Sequence, residues 1–236
     1  MSLINNIDKI IKSEPNIDDV SYLKNKMSYQ DDINNNIVKI DWLKIIEAPA
    51  KNSSLKTTNE LKVVSKATLN RTSKEVDLVI KVDKDPVALF VDFLQTKNLT
   101  FPRSKFLTYY DFLEPYVYGL KYHFNRARPE QLAPYHGIEL KLMYTDSHHT
   151  PSYPSGHAMY GELAARILSD EYPEHKSKFA ELSKFCGLAR VLQGVHFPSD
   201  NDASIKAVNV LYPLIKKGIE NVKNSKEFSF NKQSKT

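Results

Sequence analysis

Residues 152–203 read SYPSGHAMYGELAARILSDEYPEHKSKFAELSKFCGLARVLQGVHFPSDNDA, and the spacing within this stretch decides the fold. Ser155 stands where a helix N-cap belongs, ahead of an apolar-periodic run, so a helix is expected from there to about Leu168. Pro173 opens a second helix. In it Phe179, Leu182, Cys186, Ala189 and Gln193 fall on one stripe, with Arg190 beside the buried face. Gly194 and Pro198 turn the chain, Ser199 reads as the cap of a last helix, and Pro213 should bend that helix.

Working outward, the same signals recur towards the N-terminus. Thr57 with Glu60 and Thr72 with Glu75 fit capping boxes, and Asp85 before Pro86 fits an N-cap followed by a first helical residue. These caps predict helices over about 58–70, 73–83 and 86–97, with boundary errors of about 2 to 4 residues. A longer helical pattern runs from Ser104 towards Arg128, kinked or restarted at Pro115 and ended by Pro129. Pro129 to Tyr153 reads as a loop, as does Pro49 to Ser54. Ile37 to Ile46 fits a brief strand or a helix equally well. Leu3, Ile4, Ile7, Ile10 and Ile11 recur at helical spacing before Pro15, so an amphipathic helix is expected at the start.

No strand alternation is long enough for a sheet, and seven glycines disfavour a hairpin-rich fold. The expectation is one all-α domain, a helical bundle over residues 55–222. An extension of unknown role over 1–54 precedes it, and a polar, flexible tail over 223–236 follows it.

Composition narrows the function. Hydrophobic residues make up 41% of the 236 residues, enough for a real core. Thirty-three Lys and Arg against 28 Asp and Glu leave a charge of +5. A nucleic-acid surface should gather that excess into a stripe, and the densest tract is the lysine-rich end from Lys216 to Lys235, which reads as a solvated tail. The single cysteine, Cys186, excludes an internal disulfide and a cysteine-based zinc framework. The longest apolar runs, Val87 to Leu94 and Val208 to Ile215, are too short to span a bilayer. Asp8, Lys9 and Lys12 interrupt the N-terminal apolar pattern, so no secretory signal is read and a cytoplasmic location is expected.

Three short blocks gather the groups that phosphate chemistry requires. Lys121 and Arg128 stand seven apart, about two turns on one helix face, so both can enter one pocket. Pro154, Ser155, Gly156 and His157 lie at a helix start. There free amides, a glycine that admits close approach and a hydroxyl donor form an oxyanion cradle, with His157 placed to give or take a proton. Arg190, His196 and Asp200 follow at fixed spacing, and a carboxylate near a histidine can fix its tautomer and support its cationic form. Each block alone has an ordinary reading as a solvated basic face, a capped turn or a surface ion pair. In this order and spacing they rarely arise together by chance.

The combined pattern resembles the signature of the type 2 phosphatidic acid phosphatase (PAP2) superfamily. That group includes soluble bacterial nonspecific acid phosphatases, membrane lipid phosphatases and vanadium-dependent haloperoxidases. The strings SYPSGH at 152–157 and GVHFPSDNDA at 194–203 look most like the soluble acid phosphatases. The resemblance implies the family's helical bundle and a metal-independent acid phosphatase. In it His196 attacks phosphorus and becomes a phosphohistidine, and Asp200 supports it. His157 serves as general acid and then base, while Lys121, Arg128, Arg190, Ser155 and the Gly156 amide hold the phosphate oxygens. It implies a small phosphorylated substrate, no metal and no cofactor, with vanadate as a phosphate-mimicking inhibitor.

Two other readings stay open on sequence. A vanadium haloperoxidase would bind vanadate as cofactor in the same anion site. A basic nucleic-acid or scaffold-binding module with a degenerate site would use the +5 charge. A homo-oligomer is compatible with either. The family pattern has Ser before its third-block Arg, and here Ala189 takes that position, with the expected loss of a supporting hydrogen bond. His123, His136, His148 and His149 lack the spacing of a metal site. His148, His149 and Tyr153, just before the PSGH turn, are expected at the pocket mouth, where they would shape substrate choice.

Overall fold

The first long helix, α1 (Leu55–Asn70), starts earlier than its sequence reading because Ser54 and not Thr57 caps it. Ser54 Oγ accepts from the Thr57 amide at 3.2 Å, and Thr57 is buried in the first turn with its hydroxyl donating to the Lys51 carbonyl. The computed structural model describes residues 16–23 and 40–233; the opening amphipathic pattern over 3–11 lies outside the described residues. The helix α2 (Ser73–Lys84) begins with the capping box read from Thr72 and Glu75, each side chain bonded to the other's backbone amide. In front of α3 (Ala88–Thr96), Asp85 accepts from the Val87 and Ala88 amides, so a turn over 85–87 delays the helix by two residues.

The long pattern from Ser104 is one helix, α4 (Arg103–Phe124), which continues through Pro115. It ends at Asn125 in the left-handed conformation, not at Pro129, because the Asn125 amide closes on the Lys121 carbonyl and its side chain pairs with the Leu23 backbone. Arg128 therefore lies beyond the helix. Pro129 opens a helical turn (Pro129–Leu132) and a 3-10 turn (Ala133–His136), where the sequence reads as loop. The stretch near Ile37 to Ile46 holds a 3-10 turn over Trp42–Lys44.

Three helices form the centre. They are α5 (Gly156–Glu171), α6 (Lys176–Gln193) and α7 (Pro198–Gln233), and α7 runs through Pro213 and on into the stretch read as a flexible tail. The cap of α7 differs from its reading. Ser199 sits inside the first turn, and the Asp200 carboxylate accepts from the Phe197 amide at 3.0 Å instead. No strand occurs among the described residues.

Most of α5 is buried, with Met159, Leu163, Ala164 and Leu168 inside the main core against residues of α6, α4 and α7. The closeness of α5 and α6 depends on Gly161. A methyl there would lie 2.7 Å from Cys186 Cβ, so the two backbones approach only without it. Cys186 is fully buried and its thiol pKa is pushed up to about 12 by burial, which makes it a packing group. Full burial of side chains such as Leu163 contributes about 1.5–3 kcal/mol each. A smaller apolar cluster, Leu61, Val64, Leu132, Val191 and Phe197, packs at the end where α6 turns into α7, and Ile17 and Val20 dock on it. No helix among the described residues is long and apolar enough to cross a membrane.

Candidate active site

The turn between α6 and α7 carries His196. Gly194 adopts φ +86°, a conformation that costs a glycine little, and the Val195 amide returns to the Arg190 carbonyl. This places Nδ1 of the buried His196 ring 2.9 Å from Asp200 Oδ2, in the first turn of α7. Ser152 Oγ donates to the same oxygen at 2.5 Å. Arg126 donates to the other oxygen of Asp200 at 2.6 Å, to Ser199 Oγ at 2.8 Å and to Glu60 Oε2 at 2.9 Å. Its guanidinium also lies 3.9 Å from the Phe197 ring centroid.

These contacts fix the protons. Burial alone would raise the Asp200 pKa, but the Arg126 charge and the His196 and Ser152 hydrogen bonds outweigh it and hold the carboxyl well below the usual range. An ionised Asp200 can only accept, so His196 Nδ1 carries the proton. Nε2 keeps its lone pair, 3.4 Å from Arg128 Nη1, which can only donate. Burial, followed by the Arg128 charge, pushes the imidazolium pKa well below 6.5. The ring is neutral at ordinary pH, with its free nitrogen facing the cations.

Arg128 faces that nitrogen and the Lys121 charge also acts on the ring, while Arg190 lies close enough to both for its charge to act on them; the three side chains are 0%, 4% and 0% exposed. Carbonyls hold their outer atoms. Lys121 Nζ donates to Pro151 at 2.6 Å, Arg128 Nε to Thr150 at 2.8 Å and Arg128 Nη1 to Val195 at 2.8 Å. Arg190 donates to the Asp83 carboxylate, to Gln193 Oε1 and to Ser147 Oγ, while its buried Nε has no partner. Burial lowers all three pKa values, Arg190 to about 10, and the Arg128 charge lowers Lys121 further. Such a cage favours a polyanion that can supply the missing acceptors.

The sequence blocks therefore converge, with one change of reason. Lys121 sits on α4 and Arg128 follows the Asn125 turn, so the chain reversal brings them together and helical periodicity does not. Ser155 is the N-cap of α5, accepting from the Ala158 amide at 3.4 Å, while its own amide donates to the Asp200 carbonyl. Gly156 opens α5 beside Lys121, whose Cε would lie 3.7 Å from an added Cβ. His157 follows, its Nε2 3.3 Å from the Asp83 carbonyl. Burial first, then the Arg190 charge, pulls its pKa down to about 3.

Ala189 is fully buried in the main core, in apolar surroundings where a serine hydroxyl would need a partner. The remaining histidines are scattered. His136 pairs with Thr58 Oγ1 and the Asn52 carbonyl, His123 meets Phe124 edge-on, and His148 and His149 lie together, rings 4.9 Å apart. Among the described residues no group of three or more His, Cys, Asp or Glu could hold a metal ion.

Several site residues escaped the sequence reading. Asp83, from α2, anchors Arg190 through its carboxylate and His157 through its carbonyl, and no local spacing signals it. Arg126 and Ser152 lie inside the quoted blocks, where the arginine two before Arg128 and the serine of SYPSGH were the available signals. Glu130 is partly buried, with its Oε2 enclosed and unpartnered, and burial raises its carboxyl pKa.

A bundle that ends in a buried imidazole, a supporting carboxylate and a three-cation cage defines a phosphatase-like helical fold. Residues 106–206 match the model of the PAP2 superfamily. A segment of 52 residues is 46% identical to the non-specific acid phosphatase of Salmonella typhimurium. A 53-residue segment is 42% identical to that of Providencia stuartii. These matches take in 22% of this chain and 21% of each relative's length. The crystal structure of the first transmembrane PAP2 type phosphatidylglycerolphosphate phosphatase, from Bacillus subtilis, superposes with a TM-score of 0.50 at 18% identity. It covers 72% of this chain and 89% of that one, a likeness of fold.

Proposed function

We propose that this chain is a metal-independent phosphatase that hydrolyses phosphate monoesters through a phosphohistidine. The observation that carries the reading is the His196 ring: neutral, with Nδ1 bonded to Asp200 and Nε2 facing the buried Arg128, beside which the Lys121 and Arg190 charges cluster. A nucleophile with that tautomer needs no base to activate it. In the first step the Nε2 lone pair forms a bond to phosphorus, the bond from phosphorus to the ester oxygen breaks, and His157 gives its proton to the departing alkoxide. Asp200 supports the imidazolium character that develops on His196. In the second step His157 takes a proton from water, the hydroxide oxygen bonds to phosphorus, the P–N bond breaks, and phosphate leaves. Lys121, Arg128, Arg190, Ser155 and the Gly156 amide hold the non-bridging oxygens through both steps, the charge stabilisation on which phosphoryl transfer depends.

The pH dependence follows from His157. Its pKa of about 3 leaves it deprotonated in the free site above that value, and a bound phosphate dianion raises it by opposite charge. The acid form is needed first, so kcat/KM falls as pH rises, whereas His196 stays neutral and imposes no loss on the acid side. The test is hydrolysis of p-nitrophenyl phosphate from about pH 4 to 8 in EDTA, with wild type and His196→Ala. The expected result is turnover that survives EDTA, is inhibited by vanadate and drops by about a thousandfold or more in the variant. Turnover unaffected by His196→Ala, or bromide oxidation that depends on added vanadate, would overturn the reading.

A further inference from the structure

The segment ahead of the bundle is tied to the edge of the cation cage, where Tyr22 meets Arg128. Its 3-10 turn, Ile17–Asp19, is held by Asn52, whose Nδ2 donates to the Ile17 and Val20 carbonyls at 3.0 and 2.6 Å. Ser53 donates to the Asp18 carboxylate through its amide and its hydroxyl. Asn125, the residue that ends α4, accepts from Tyr22 and Leu23 amides and donates back to the Leu23 carbonyl. Eight residues remote from the signature are thus fixed by both of their ends.

Tyr22 is what this fixing presents. Its ring faces Arg128, with the guanidinium carbon 5.8 Å from the ring centroid, and its hydroxyl donates to the His148 carbonyl at 3.2 Å. One side chain thereby joins two walls of the mouth: the arginine beside His196 Nε2, and the loop that gives Thr150 and Pro151 carbonyls to Arg128 and Lys121. The same loop carries further rings. His148 and His149 lie 4.9 Å apart at 30°, and Tyr144 meets His148 edge-on at 6.5 Å. The cage is built of charged groups, while Tyr22, Tyr144, His148 and His149 beside it offer flat faces.

We infer that Tyr22 is a specificity-determining residue, a wall lent to the site by the N-terminal segment, and that it selects phosphate monoesters with flat aromatic leaving groups over aliphatic ones. The inference rests on the phosphatase reading. Once the phosphate is held by the cations, the ester group must leave through the mouth, and a planar group gains stacking contact there that a short alkyl chain lacks. The hydroxyl's bond to the His148 carbonyl holds the Tyr22 ring in place, and the ring carries the selectivity.

The experiment compares kcat/KM for p-nitrophenyl phosphate and ethyl phosphate in the full chain. In Tyr22→Ala the aryl-to-alkyl ratio should fall by about tenfold, and in Tyr22→Phe, which keeps the ring, it should stay near the wild-type value. Tyr22→Leu, which keeps apolar bulk, serves if the alanine variant does not fold, and its ratio should fall as well. A ratio unchanged in Tyr22→Ala or Tyr22→Leu, including a parallel loss on both esters, would overturn the inference and leave Tyr22 as a support for Arg128. A wild type that hydrolyses neither ester would instead overturn the phosphatase reading itself.

Discussion

The two faces of the His196 ring are built differently. On the Nδ1 side Asp200 is answered by Arg126, Ser152 and the Phe197 amide, and Arg126 in turn by Glu60 and Ser199. Beyond Nε2, the clustered Arg128, Lys121 and Arg190 have as their acidic neighbours Asp83, in contact with Arg190, and Glu130, whose burial favours its neutral form. A closed network fixes a tautomer; an open one waits for a ligand. Charges buried in pairs are costly to separate, while cations buried without matching anions weaken the protein until something neutralises them.

The contrast predicts that stability and activity separate between two arginines. Arg126→Met strands a buried carboxylate and should destabilise the fold by about 3–5 kcal/mol, read by denaturant unfolding. Arg190→Met removes a cation from a crowded cage, and its former partner Asp83 keeps Thr145 and Ser147. That variant should lose about 1 kcal/mol or less of stability, yet about a hundredfold or more in kcat/KM. Similar stability losses in the two variants would erase the distinction.

Ligand and pH sharpen the same comparison more gently. Inorganic phosphate should raise the melting temperature of the wild type, by the equivalent of about 2.7 kcal/mol at a hundred times its Kd, and should do much less for Arg190→Met. Folding lowers the pKa of His157 to about 3, so the unfolded chain binds a proton that the folded chain refuses. Stability from this group is complete above the unfolded value near 6.5 and is lost as pH falls from there towards 3, and the depressed His196 acts in the same direction. Thermal melts should show this decline, with phosphate opposing it.

The smallest effect is expected at Ala189→Ser. The added hydroxyl enters an apolar, fully buried position, at a cost of about 1 kcal/mol in a chemical melt and a change in turnover of a few fold. A clear gain in activity would instead mean that a supporting bond is missing from the natural site.

The sequence made the helices legible where capping chemistry is local. Thr72 with Glu75 was read correctly because both partners lie within one turn, whereas Ser54, Asn125 and Asp200 act as caps through geometry that spacing does not reveal. The three blocks were legible because the residues of each lie within a few positions of one another along the chain. Asp83 was not, since it reaches Arg190 from a helix about a hundred residues away, and Tyr22 was not, since only the docking of its segment on Asn125 and Asn52 brings it to the mouth.

The central claim is that His196 Nε2 takes the phosphoryl group. The most direct measurement mixes enzyme with excess p-nitrophenyl phosphate, quenches rapidly in alkali, where phosphohistidine survives, and maps the adduct by intact and peptide mass. The account predicts a phosphoryl adduct on His196 in the wild type, greater occupancy in His157→Ala with this good leaving group, and none in His196→Ala. Turnover with no adduct under any quench time, or an adduct on another residue, would contradict it.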